Sequence, residues 1–137
     1  SGANTAAETS YDSKSNTGLD AVGWYWYNTC NGGTTTSTEM KEGTAGFGTH
    51  KKGLKAPNAL GIYDMSGNVW EWCYDGPGVV STGEETDPLG SSSGSNRVFR
   101  GGSWYNYAYF ANVCGRGGST PSGSIFFLGF RLVRSAN

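Results

Sequence analysis

Apolar and polar positions alternate along this chain only in short bursts. Residues 1–20 are small and polar with turn formers throughout, and they predict a loop. Val22–Tyr27 (VGWYWY) is a compact aromatic run that predicts a strand or a packed extended segment. Residues 28–49, rich in Gly and Thr and without a period, predict a solvent-exposed insertion. Within Lys55–Cys73, Pro57-Asn58 starts a turn, Leu60 and Ile62 alternate, and Ser66-Gly67-Asn68 breaks the run again. Val69–Cys73 (VWEWC) then predicts a mostly buried strand, with Trp70 and Trp72 on one face and supplying much of a small core. Residues 74–96 return to loop. Val98–Trp104 resumes strand character around a Gly pair suited to a bulge, and Leu128–Val133 predicts a closing strand. No tandem repeat divides the chain.

Between those last two elements no period survives. Tyr105-Asn106-Tyr107, Tyr109-Phe110, Gly117-Gly118-Ser119 and Ile125-Phe126-Phe127 fit neither a helical nor a strand pattern. Ile125–Phe127 taken alone also reads as a buried strand, because three consecutive apolar residues are costly outside.

Composition narrows the class. The chain has 137 residues, one domain's worth, with 15% charged residues against a typical figure of about a quarter. The 23 Gly, 5 Trp, 8 Tyr and 6 Phe point to a loop-heavy domain whose core rests on large rings, with little helix. Net charge is −1, and basic residues cluster only at Lys51-Lys52 and Lys55, which argues against a nucleic-acid partner. After Asp87 there is no acid and no Lys. Arg100 and Arg131 there are expected to stack or to bond carbonyls within the framework.

Cys30, Cys73 and Cys114 have no zinc-ligand spacing; they leave either one disulfide with a spare thiol or three thiols buried as small hydrophobes. No window is apolar enough for a membrane span, and the polar start without an initiator Met reads as a piece or processed product whose export signal would lie upstream. Asp64, Glu71 and Asp75 are candidates for carboxylate chemistry, but each sits in or beside a framework motif where bonding to loop backbone is the simpler role. His50, the one histidine, reads as a surface or turn residue.

PNALGIYDMSGNVWEW, RVFRGGSW and LGFRLV, with Thr49-His50, Gly53 and Lys55 leading into the first, resemble the formylglycine-generating-enzyme (sulfatase-modifying factor) superfamily. The resemblance runs well from about residue 45 to the end and more loosely at the start. It implies an α+β, loop-rich fold with short antiparallel strands, the C-type lectin-like fold of the formylglycine-generating-enzyme subtype. Residues 1–137 would form a single such domain or its C-terminal portion. In the family's oxidase, two cysteines stand where this chain has Asn106 and Ala111. An amide and a methyl replace neither a copper-binding thiolate nor a redox disulfide. The resemblance therefore implies no catalytic residue here.

A narrower branch, the variable proteins of diversity-generating retroelements, resembles the segment 101–133 more closely. In that branch asparagine codons copied from a template become any codon ending in C or T, so Tyr, Phe, Ser, Gly, Asn, Ile and Thr are reachable while Lys, Glu, Gln, Met and Trp are not. The pattern implies variable, ligand-binding positions at Tyr105, Asn106, Tyr107, Tyr109, Phe110, Gly115, Gly117, Gly118, Ser119, Gly123, Ile125, Phe126 and Phe127, with Thr120 ambiguous. Every one of these residues is reachable, and all lie between framework residues Trp104, Ala108, Arg116, Pro121 and Leu128-Gly129-Phe130-Arg131. A core cannot absorb such changes of volume, each worth about 2–5 kcal/mol, so these positions are expected on exposed loops. Tyr with Ser, Gly and Asn is also the chemistry of antibody loops.

The expected function is recognition of a protein or other macromolecule at a cell surface. The resemblance implies a bacterial surface lipoprotein of treponemal type or, alternatively, a phage-tail adhesin. Two other classes compete. One is an oxidoreductase of the superfamily with relocated chemistry. The other is a calcium-dependent carbohydrate-binding lectin, for which Asn68 and neighbouring carbonyls offer hard oxygen ligands for a structural Ca²⁺.

Overall fold

A computed structural model describes residues 17–30, 43–79, 83, 84, 86, 90, 91 and 94–133. The sequence expectations for residues 1–16, for 31–42 of the insertion and for part of the 74–96 loop lie outside these.

The chain enters through a short helix, α1 (Thr17–Val22), where the sequence predicts loop up to residue 20. Its anchor is Leu19, wholly buried, and the Gly23 amide donates to the Leu19 carbonyl at 2.8 Å to close the last turn. One buried apolar residue suffices here because the helix is stabilised by tertiary packing rather than by propensity. Val22–Tyr27 is likewise not a strand. It leaves the helix and bends, the amides of Asn28 and Thr29 both donating to the Tyr25 carbonyl. Asn28 is the reason. Its buried carboxamide accepts from the Tyr25 amide at 2.7 Å and donates to the Gly23 carbonyl at 2.9 Å, holding the aromatic run in a turn. The Tyr25 hydroxyl donates to Asp20 of α1 at 2.7 Å.

Leu19, Tyr25, Tyr27, Ala108 and Ala111 form the main hydrophobic cluster. The core thus leans on the first aromatic run as much as on the tryptophans of VWEWC. Asn28, Thr29 and Cys30 are also fully buried, which corrects the expectation that the insertion is exposed from residue 28 onward.

The sheet is built from β1 (Trp70–Trp72), β2 (Arg97–Arg100), β3 (Arg116–Ser119) and β4 (Leu128–Gly129), in the order β3-β2-β1-β4. β1–β2 and β2–β3 are antiparallel, as expected, but β1–β4 is parallel, so the sheet is mixed. Trp70 and Trp72 both pack edge-on against Phe99 of β2, with ring centroids 5.0 and 5.7 Å away; Trp70 is buried and Trp72 half-buried.

Arg131, just past β4, clamps the sheet. It grips Glu71 of β1 through Nε (3.0 Å) and Nη2 (2.7 Å), and donates to the carbonyls of Tyr63 and Asp64. This is the framework role expected of it, and a planar fork suits it.

The Ser66-Gly67-Asn68 break is a knot rather than a gap. The Gly67 amide donates to Gly101, the Asn68 amide to Trp24, and the Trp104 amide to Asn68. Gly67 has φ +75°, and a Cβ there would stand 2.3 Å from the Trp24 carbonyl oxygen, so no other residue fits.

A candidate ligand-binding face

The segment from Tyr105 to Phe127 is hung from this frame at a few fixed points. The Trp26 amide donates to the Asn106 carbonyl and the Trp70 amide to the Phe127 carbonyl, each at 2.9 Å. A 3-10 turn at Ala108–Ala111 buries both alanines in the main cluster and turns the two residues between them outward.

All thirteen predicted variable positions are exposed or half-buried; of the framework residues around them Trp104 and Ala108 are buried, whereas Arg116, Pro121, Phe130 and Arg131 are exposed. Tyr105, Tyr109 and Phe126 are exposed by 37%, 39% and 66%. The buried-strand reading of Ile125–Phe127 does not hold. Phe126 and Phe127 lie in a turn, with the Leu128 amide bonded back to the Ile125 carbonyl.

The rings form a continuous face. Tyr105 stacks on Phe127 (5.7 Å, 7°) and meets Phe126, Trp104 and Trp26 edge-on at 5.1–5.3 Å. Phe47 joins through Trp26 (5.1 Å) and Trp104 (4.9 Å), and Tyr107 stacks on the buried Tyr27. Tyr109 and Phe110 form a second pair that reaches Trp70. By sequence Trp26 falls in a strand or packed extended segment and Phe47 in the insertion, and no periodic signal marks either as part of this face.

Where Trp26, Tyr105, Asn106, Tyr107 and Phe110 converge they enclose a depression of about 220 Å³. Four of its five walls are predicted variable positions, and none carries a charge.

The predicted positions differ in how freely they can change. On β3, Gly117 faces inward, and a Cβ there would lie 2.2 Å from Cε2 of Phe99; at exposed Gly118 the nearest atom to a Cβ is the Arg97 carbonyl oxygen at 3.5 Å. Ser119 ends the same strand opposite Arg97. Gly115 and Gly123 sit in turns, their amides bonded to the carbonyls of Asn112 and Thr120. Asn106 is tied to the framework through its side chain, its Oδ1 accepting from Trp70 Nε1 at 2.7 Å and from Ser103 Oγ at 2.5 Å.

The residues at the oxidase's cysteine positions do not fit a copper ion held by two thiolates. The Asn106 carboxamide oxygen is committed to Trp70 and Ser103, and Ala111 is a buried methyl. The three cysteines are free thiols: Cys30 buried, Cys73 half-buried and Cys114 exposed, so they are not all buried hydrophobes. Burial pushes the Cys73 thiol up from its ordinary value, with Asp75 adding to the effect. No cluster of three or more His, Cys, Asp or Glu side chains occurs among the described residues.

His50 is half-buried rather than fully exposed. It stacks on Trp24 with centroids 3.6 Å apart, and its Nε2 lies 2.7 Å from the Thr29 carbonyl oxygen. Burial, reinforced by the Lys55 charge, pulls its pKa below the usual value against the opposing pull of the Thr29 bond. Lys55 packs on the same Trp24 ring, its Nζ 4.2 Å from the centroid and donating to the Asp20 carbonyl. Asn68, the calcium candidate, spends its carboxamide on His50: Oδ1 accepts from the His50 amide at 2.9 Å and Nδ2 donates to the His50 carbonyl at 3.1 Å. Asp64 accepts from the Gly53 amide, the loop-backbone role expected of it.

The site is thus an irregular aromatic face carried on a small mixed sheet. Residues 2–136 match the sulfatase-modifying factor enzyme 1-like domain, and the chain belongs to that family. It is 41% identical over 96 residues to the formylglycine-generating enzyme of Mus musculus, spanning 66% of this chain and 26% of the mouse protein. Against the Streptomyces coelicolor formylglycine-generating enzyme it is 38% identical over 86 residues, 59% of this chain and 27% of that one. The chain thus matches only about a quarter of the length of these relatives. Among solved structures it superposes on Treponema denticola variable protein 1 with a TM-score of 0.65 and 35% identity, covering 82% of this chain and 35% of that one. PvdO from Pseudomonas aeruginosa shares the fold, with a TM-score of 0.59 at 21% identity over 88% of this chain and 42% of that one.

Proposed function

We propose that this chain is a non-enzymatic, ligand-binding variable protein whose segment between Trp104 and Leu128 presents replaceable side chains to a macromolecular partner. The observation that carries the reading is that all thirteen pattern positions are at least partly open to solvent, with Tyr105, Tyr109 and Phe126 exposed beside the buried framework residues Trp104 and Ala108. Rigid aromatics that are already packed against one another lose little entropy when a partner covers them, which is what an anchor residue needs. The likeness to the treponemal variable protein supports the same reading.

The mechanism is combinatorial. A retroelement rewrites the segment, the sheet and the Gly67-Asn68 knot keep the fold, and variants that bind are selected. The partner is a protein or other cell-surface component and the setting is a bacterial surface, or alternatively a phage tail. No helix among the described residues is long and apolar enough to cross a membrane. The scaffold is the C-type lectin-like fold in its formylglycine-generating-enzyme form.

A display library in which Tyr105, Tyr107, Tyr109, Phe110, Gly118, Ser119, Phe126 and Phe127 are randomised tests the proposal. Most clones should fold, and binders to unrelated protein targets should emerge. A library that mostly fails to fold, or yields no binders, contradicts it. Oxidation of a cysteine-containing sulfatase peptide by the copper-treated protein, lost on Cys114→Ser, would instead establish the oxidoreductase reading.

A further inference from the structure

We infer that position 105 sets the specificity of the face. Its tyrosine plugs a constant aromatic subsite formed by Trp26, Phe47 and Trp104, and a small residue there opens that subsite to a flat, uncharged aromatic ring of the ligand. The inference rests on the ligand-binding reading of this face and deepens it.

The floor of the subsite lies outside the replaceable positions. Trp26 and Phe47 stand far upstream of the segment, and Trp104 is its framework boundary. Phe47 meets both indoles edge-on, its centroid 5.1 Å from Trp26 and 4.9 Å from Trp104, each at 89°. These three rings hold one another without any contribution from residue 105.

Tyr105 sits against that floor. Its ring meets Trp26 at 5.1 Å and Trp104 at 5.3 Å edge-on, with Phe47 6.2 Å away. Phe126 and Phe127 flank it at 5.2 and 5.7 Å, Phe127 stacked within 7°. The occupant that the fold already accepts is therefore a neutral phenol ring, and the surrounding rings are set to its shape. Tyr105 is still 37% exposed, so the space it fills opens to solvent rather than into the core.

The backbone around the plug is pinned independently of its ring. The Trp104 amide donates to the Asn68 carbonyl at 2.8 Å, the Asn106 amide to Ser103 at 3.0 Å and the Trp26 amide to Asn106 at 2.9 Å. The Asn106 side chain adds its bond to Trp70. Packed walls relax only partly when a ring is deleted, and an apolar recess of that size takes up an aromatic molecule in preference to water. Ser, Gly and Asn, all reachable at position 105, thus leave a ring-shaped recess, whereas Tyr and Phe close it.

The test titrates ¹⁵N-labelled wild type, Tyr105→Ser and Tyr105→Phe with phenol and, separately, with its saturated counterpart cyclohexanol, following the indole signals of Trp26 and Trp104. Phenol should move both signals in Tyr105→Ser and neither in the other two proteins. In Tyr105→Ser it should bind roughly two- to ten-fold more tightly than cyclohexanol, the range expected for one edge-on ring contact. Equal response of wild type and Tyr105→Ser, no response of Tyr105→Ser, or equal affinities for the two probes overturns the inference. So does tighter binding of tetramethylammonium than of phenol, which would make the recess a cation cage. A Tyr105→Ser protein that no longer folds overturns it too, because Tyr105 would then be framework rather than plug. The randomised library remains a separate test: binders selected through the other positions uphold the ligand-binding reading without the recess, and a library without binders sinks that reading even where phenol binds.

Discussion

Trp70 of β1 donates its indole N–H to the side-chain oxygen of Asn106, 36 positions later, at 2.7 Å. The bond joins the most regular part of the framework to the least regular segment of the chain. Trp70 is buried, so its N–H has little access to water once the partner is lost. Asn106→Ala should cost about 1–3 kcal/mol, the penalty for a buried donor left unsatisfied, read as a lower urea midpoint with an unchanged slope. A loss within about 0.5 kcal/mol would show that water replaces the amide there.

Adjacent glycines of β3 should respond oppositely to the same substitution. Gly117→Tyr must displace Phe99, whose ring a Cβ would meet at 2.2 Å, whereas Gly118→Tyr extends from an exposed position. We expect a loss of about 1–3 kcal/mol for the first and under about 0.5 kcal/mol for the second in thermal or urea unfolding. Equal effects would mean that β3 does not present one face to Phe99.

His50 ties stability to pH. Its folded pKa lies below the unfolded value of 6.5 because burial disfavours the imidazolium, so the unfolded chain takes up the proton first. The stabilisation is fully present above that value and is lost as pH falls from about 6.5 through the depressed folded pKa. His50→Gln should flatten this part of a stability–pH curve. A wild-type curve that is already flat between neutral pH and about 5 would contradict the lowered pKa of the half-buried ring.

Thiol labelling should follow burial. Iodoacetamide should modify exposed Cys114 first and Cys73, held protonated by its surroundings, much later, with Cys30 reacting only on unfolding. Peptide mass spectrometry over time gives the order, and early modification of Cys30 would contradict the burial of the residue 25–30 turn.

The framework was legible wherever a local pattern coincides with a tertiary role. VWEWC and the stretch after Arg97 carry strand character and form adjacent strands, and LGFRLV supplies both β4 and the Arg131 clamp. Misreadings fell where a single long-range contact overrides composition. Leu19 makes a helix of a polar stretch, Asn28 bends an aromatic run that looked extended, and Trp24 draws His50 off the surface. The parallel β1–β4 pairing leaves no local trace, because strand direction depends on the path between strands. For the candidate face, the lack of period in 105–127 gave the segment but not the walls contributed by Trp26 and Phe47. Nor could it separate Gly117 from Gly118, since both read simply as glycine.

Sequencing the DNA around the coding region tests whether a retroelement rewrites the exposed side chains between Trp104 and Leu128. The account predicts a near-copy of the stretch encoding residues 105–127 that differs from it only at adenines and lies beside a reverse transcriptase gene. A locus with neither the copy nor the reverse transcriptase would contradict it, and would leave the aromatic face a fixed feature of an ordinary family member.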